Sequence, residues 1–176
     1  MFGHRIEEFM KTELYWIEDD VAILLRPRGG DWLSDEILDW KRDGLNVIVS
    51  LLDANEVREL GLTNEAKAVQ SASLTFISFP VTDFGVPDHL LDTIKLIDAL
   101  ATLRAEGKKI GIHCRQGLGR SPLIAACLLV RGGVAPEMAW EIIGEARGTT
   151  VPETKEQREW LNRFAEELQT LETTTA

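Results

Sequence analysis

Apolar and polar positions alternate along this chain on two different periods. Residues 46–52, 74–79 and 109–112 are nearly unbroken apolar runs of four to seven residues. Each is too short for a helix and lacks a polar face, the pattern of a parallel strand buried on both sides. Between them the period lengthens. Leu90, Leu91, Ile94, Ile97 and Ala101 recur at helical spacing, as do Met138, Trp140 and Ile143, and then Trp160, Leu161, Phe164 and Leu168. A further helix runs from Ser34 to Asp43, with Ser34 expected as its cap and Leu33 and Leu38 as a hydrophobic staple. A short one spans Asn64 to Ala72, and residues 123–130 form a helix that is apolar throughout. Near the start, 14–17 and 21–25 read as a strand hairpin across Glu18-Asp19-Asp20.

Strands alternating with helices imply an α/β fold, a three-layer sandwich with a central, mostly parallel sheet flanked by helices. A chain of 176 residues fits one domain, 1–176, with 170–176 expected to fray. In such sheets ligands bind beyond the carboxyl ends of the strands. Three segments fall there: 53–57, 80–88 and 113–121.

The third segment carries the chemistry. Its sequence, His-Cys-Arg-Gln-Gly-Leu-Gly-Arg-Ser, sits between a strand and the start of the apolar helix. Gly117 and Gly119 let backbone amides approach one another, and the helix N-terminus adds a positive field. The amides of Arg115, Gln116, Gly117, Leu118, Gly119 and Arg120 can therefore cradle an oxyanion. Arg120 contributes a planar fork matched to two phosphate oxygens. The same field stabilises a thiolate at Cys114, placed for in-line attack on a bound phosphate. Cys127, inside the apolar helix, reads as a core residue.

A phosphate ester leaves poorly unless its bridging oxygen is protonated, so a general acid is required on the far side of the phosphorus. Asp83, in the loop 80–88 and 31 residues before Cys114, is the candidate. Asp88 is the runner-up, and a helix cap accounts for it. Ser121 either donates to the leaving thiolate or caps the helix. Glu56 is read as surface charge at the rim, a contact with Arg120 or Arg28 being the alternative. Arg26 and Arg28 are read as solvated loop residues.

The run His-Cys-x5-Arg-Ser resembles the signature of the cysteine-dependent protein tyrosine phosphatase superfamily. With Pro80-x-x-Asp83-x-Gly85-x-Pro87-Asp88 upstream, it looks closest to the compact, dual-specificity-sized, cyclin-dependent-kinase-associated branch. The resemblance implies a protein phosphatase acting on phosphotyrosine, with phosphoserine and phosphothreonine as further substrates, through a phosphocysteine intermediate and with neither cofactor nor metal. It also selects Asp83 as the acid and gives His113 a supporting role beneath the loop. It implies that Gln157 positions the hydrolytic water, although Thr154-x-x-Gln157 equally reads as a capping box. A phosphopeptide-binding module without turnover, or another oxyanion enzyme of the arsenate reductase or sulfurtransferase kind, are the competing readings.

Composition narrows the partners. A net charge of −10 disfavours nucleic acid and anionic membrane. From Arg104 to Arg131, six basic residues stand against Glu106, a local excess that suits an anionic substrate. Two cysteines leave no disulfide framework, and Met1 to Lys11 lacks the apolar core of a signal peptide. The expected location is cytoplasmic.

Overall fold

The structure is a computed structural model that describes residues 13–175. The reading of Met1 to Lys11 lies outside the described residues. A five-stranded sheet has the order β1-β2-β5-β3-β4. Its strands are β1 (Leu14–Glu18), β2 (Val21–Leu24), β3 (Val47–Ser50), β4 (Thr75–Ser78) and β5 (Ile110–His113). β1 is antiparallel to β2, and the other pairs are parallel. Leu24, His113, Ser50 and Ser78 lie in register, so four strands end along one edge.

Side chains alternate across the sheet, as the pleat requires. Val21, Ile23, Val47, Val49, Ile110 and Ile112 face one cluster. It is filled by helices α4 (Leu90–Ala105), α5 (Arg120–Arg131), α6 (Pro136–Arg147) and α7 (Lys155–Thr175). Ala22, Leu24 and Ile48 face the other cluster, which is closed by α1 (Leu33–Arg42) and α3 (Glu65–Ser71). A short helix α2 (Ala54–Glu59) follows β3. Helix α5 is buried from Arg120 to Leu129, which explains why its sequence has no polar face. Gly111 occupies the middle of the central strand because a Cβ there would meet Leu24 Cδ1 at 2.7 Å and Leu45 Cδ1 at 3.0 Å. Arg104 of α4 clasps the β1–β2 turn through Asp20 and Glu18.

Several local expectations are corrected. Ser34 does not cap α1. A 3-10 turn, Gly30–Trp32, runs directly into the helix, which begins at Leu33 with Trp32 in the cap position and no side-chain bond. The staple is absent too, since Leu38 is exposed while Leu33 is buried. Asp88 does not cap α4; His89 takes that position, with extended backbone and no side-chain bond. β4 is an edge strand and only half-buried, so its apolar run overstated its burial. Residues 170–175 are helical in the structure. They continue α7, with the hydroxyls of Thr173, Thr174 and Thr175 donating to carbonyls one turn back. No helix among the described residues is long and apolar enough to cross a membrane.

Candidate active site

The aligned carboxyl ends of β3, β4 and β5 release the segments 51–53, 79–89 and 114–119 on the same edge of the sheet. His113 ends the central strand, and Cys114 is the first loop residue. Cys114 is buried, yet its sulfur faces polar groups. Ser121 Oγ lies 3.1 Å from Sγ, and Gly117 N–H donates to Sγ across 3.3 Å. Gly117 adopts a left-handed φ of 69°, which is what turns its amide toward the sulfur. Gly119 has an ordinary negative φ, and two side-chain ends close over it instead. A Cβ at that position would sit 2.3 Å from Glu153 Oε2 and 2.9 Å from Gln157 Nε2. The amides of Gln116, Leu118 and Gly119 donate to no protein acceptor among the described residues, and so remain available to a bound anion.

Ser121 is the second residue of α5, and the cap position is Gly119 without a side-chain bond. Its hydroxyl therefore serves the sulfur rather than the helix end. No acidic residue of α5 itself lies in its first turn.

Arg120 is buried, and both of its terminal nitrogens are engaged. Its two terminal nitrogens bind Glu56 in a fork at 2.7 and 2.8 Å. Nη1 also donates to the Val81 carbonyl at 2.9 Å, and Nη2 to Asp83 Oδ1 at 2.9 Å. Burial opposes the Arg120 charge. The Glu56 hydrogen bonds and the charges of Cys114, Glu56 and Asp83 outweigh it, and the guanidinium is held more firmly protonated than usual.

Glu56 overturns its reading as surface charge, since it is 5% exposed. Asp53 accepts from Asn55 N and Glu56 N, while Glu56 Oε2 accepts from Asp53 N at 3.1 Å. A capping box at the end of β3 thus aims this carboxylate at Arg120. The residues 53–56 carried that Asp-x-x-Glu signal in the sequence. Burial works to raise the Glu56 carboxyl, but the Arg120 hydrogen bonds, the Asp53 amide and the Arg120 charge prevail and hold it below the ordinary range.

His113 lies beneath the loop. Nδ1 meets the Cys114 carbonyl at 3.2 Å and Nε2 meets Glu65 Oε1 at 2.6 Å, all inside the core. Glu65 was invisible in the sequence, as was Arg147, whose guanidinium donates to the Gly117 and Gln116 carbonyls and stacks on the Tyr15 ring at 3.9 Å. Arg147 braces the outer side of the loop. Gln157 is fully buried. It closes the capping box with Thr154, and its Nε2 donates to the Gly85 carbonyl at 3.1 Å, tying α7 to the Asp83 loop. Glu153 was also missed. Burial and the Asp83 charge push its carboxyl above the usual range against the pull of Arg120.

The basic excess along 104–131 does not gather at the loop. Arg104 holds Asp20 and Glu18, Arg131 holds Asp98, and Lys109 lies over the Trp16 ring. Arg115 stays at the rim, 3.7 Å from Glu59. The Arg28 side chain binds buried Glu36 and covers Trp32. The groups at the loop that could attract an anion are Arg120, the amides and the helix end, not a diffuse positive surface. Burial pushes the Cys127 thiol well above its ordinary value, in keeping with a core role. Among the described residues no group of three His, Cys, Asp or Glu side chains is arranged to hold a metal.

The model of the dual specificity phosphatase catalytic domain matches residues 46–167. Cyclin-dependent kinase inhibitor 3 of Homo sapiens is 29% identical over 130 residues, covering 73% of this chain and 61% of the relative. The putative tyrosine phosphatase 197R of Invertebrate iridescent virus 6 is 37% identical over 93 residues, covering 49% of this chain and 33% of the relative. The chain thus spans about three-fifths of the length of its first curated relatives. Among solved structures, a kinase associated phosphatase with its catalytic cysteine changed to serine superposes with a TM-score of 0.81. That match has 23% identity and covers 90% of this chain and 96% of the other. Tk-PTP in its active form gives 0.74 at 25% identity, covering 87% and 96%.

Proposed function

Since the chain belongs to the family of dual specificity phosphatase catalytic domains, we propose that it hydrolyses phosphate monoesters on protein side chains, phosphotyrosine first, through a phosphocysteine intermediate. The observation that carries this reading is the buried Cys114 sulfur, held by Ser121 Oγ and Gly117 N–H directly before Arg120 and the start of α5. Inert core thiols have no such polar company, and Cys127 is the internal contrast.

In the first half-reaction the dianionic phosphate enters the loop. Its equatorial oxygens meet the amides of 115–120 and Arg120 Nε, the guanidinium donor left uncommitted by Glu56, Val81 and Asp83. Cys114 attacks phosphorus, the P–O bond to the substrate breaks, and Asp83 protonates the departing oxygen. In the second, water attacks phosphocysteine, Asp83 takes back a proton, and the sulfur leaves as a thiolate that Ser121 and the Gly117 amide receive. Asp83 is within reach of the loop, since Arg120 Nη2 binds its Oδ1 at 2.9 Å, and its side chain stays 40% exposed. Next to it Phe84 is 59% exposed and holds a left-handed φ of 59°. Such strain in a non-glycine residue costs about 1–3 kcal/mol. An exposed apolar ring kept next to Asp83 at that cost suits stacking on a phosphotyrosine ring, and this favours tyrosine among the substrates. Because the nucleophile must remain a reduced sulfur, a reducing compartment, the cytoplasm, suits the enzyme.

The direct test is p-nitrophenyl phosphate hydrolysis with and without EDTA, followed by phosphopeptides on tyrosine, serine and threonine. The expected result is turnover that EDTA leaves unchanged, with phosphotyrosine peptides fastest. Tight phosphopeptide binding without release of phosphate would instead identify a binding module. Asp83→Asn should slow alkyl phosphates by roughly 10²–10⁴-fold, the scale of a lost general acid. Aryl phosphates with good leaving groups should lose much less. Equal slowing of both classes would remove Asp83 from the acid role.

A further inference from the structure

Gln157 carries a structural contact at each end of its amide. It is fully buried, its Oε1 accepts from Thr154 N at 3.3 Å, and its Nε2 donates to the Gly85 carbonyl at 3.1 Å. One end of the amide closes the cap of α7, and the other joins α7 to the Asp83 loop. Four residues earlier stands Glu153, just before the Thr154 cap. Its carboxylate makes no hydrogen bond or ion pair among the described residues. It nonetheless lies against the loop, with Oε2 at 2.3 Å from the point a Gly119 Cβ would occupy. The Asp83 charge, from the loop after β4, and the Arg120 charge, from α5, both act on it. Behind Arg120 stands Glu56. An uncommitted carboxylate therefore borders the phosphate cradle beside the candidate acid.

Resting on the phosphatase reading above, we propose that Glu153, not Gln157, is the water-positioning residue of the second half-reaction. In that step the S–P bond breaks and its electron pair returns to Cys114 Sγ. A new O–P bond forms from the water, and one water proton passes to Asp83. The attacking water has a second O–H bond that must also find an acceptor if its lone pair is to point at phosphorus. The Glu153 carboxylate supplies that acceptor. No water takes part in the first half-reaction, so Glu153 contributes only to the second.

The role separates two kinetic constants. kcat/KM covers the steps up to cleavage of the ester, while kcat also includes hydrolysis of the intermediate. Rapid-quench kinetics on p-nitrophenyl phosphate, with mass spectrometry of the acid-quenched protein, read both. For Glu153→Ala the expected result is a stoichiometric burst of p-nitrophenol and a phosphate adduct on Cys114. Steady turnover should then be about 10- to 100-fold slower, the scale of a misplaced reactant, with kcat/KM within twofold of wild type. Glu153→Gln, whose carbonyl can still accept one O–H, should recover part of kcat. Parallel loss of kcat and kcat/KM without an adduct would overturn the assignment, as would an adduct in Gln157→Ala with none in Glu153→Ala. Either of those outcomes leaves the phosphatase reading intact. A wild-type chain that releases no p-nitrophenol overturns both.

Discussion

Cys114→Ser is expected to abolish turnover, with kcat falling on the order of 10⁴-fold or more, while oxyanion binding persists. Loss of a covalent nucleophile has consequences of this size because an alcohol at neutral pH is a far weaker nucleophile than a thiolate. The cradle is built from other groups. Arg120 is held by Glu56, the loop amides are main-chain, and Gly117 keeps its left-handed turn whichever atom occupies position 114. Sulfate or tungstate should therefore still protect the variant against thermal unfolding, with a Tm rise comparable to that of wild type. Measurable turnover in Cys114→Ser, above about a thousandth of wild type, would end the phosphocysteine mechanism. Loss of anion protection would mean that the sulfur itself shapes the cradle.

The second large effect lies outside the loop. Glu56→Ala should destabilise the protein by about 3–5 kcal/mol, because it leaves a buried guanidinium without its main counter-ion. Arg120 is 2% exposed, so water cannot replace what Glu56 supplied. Activity should fall with stability, since the Arg120 fork loses the carboxylate that fixes its plane. Glu56→Gln keeps the shape and one acceptor and should lose less of both. The pH dependence follows from the direction of the Glu56 shift. Its folded carboxyl is held below the ordinary range by Arg120 and the Asp53 amide, which together outweigh burial. The stabilisation is therefore complete above the unfolded carboxylate value of about 4.3 and fades as pH falls through the lower folded value. Chemical denaturation at pH 7 should show the full gap between wild type and Glu56→Gln, and acid titration should narrow it. A constant gap down to acid pH would mean that the pair contributes nothing as an ion pair.

Much of this was legible in the sequence where the relevant contacts are local. The strand Ile110–His113, the turn at Gly117 and the start of α5 follow one another within a dozen residues, and their order dictates that Cys114 sits beneath a helix N-terminus. Local spacing also misled. Ser34 and Asp88 had the chemistry of caps, but a 3-10 turn and an extended His89 set those helix starts. The basic residues between 104 and 131 are neighbours in sequence only. Folding sends Arg104 to the hairpin turn and Arg131 to α4 and α7.

The sequence alone determined the order of strands and helices and the identity of the reactive loop, because period, turn chemistry and a nine-residue spacing all act over short stretches of chain. Tertiary structure alone decided which carboxylates serve that loop. Glu56 reaches Arg120 across 64 residues and Glu65 reaches His113 across 48. Glu153 meets Gly119 only once α7 packs against the loop. A glutamate on a helix looks the same in sequence whether it faces solvent or an arginine. What separates the two is the loss of water around a charge, and only the packed chain determines that.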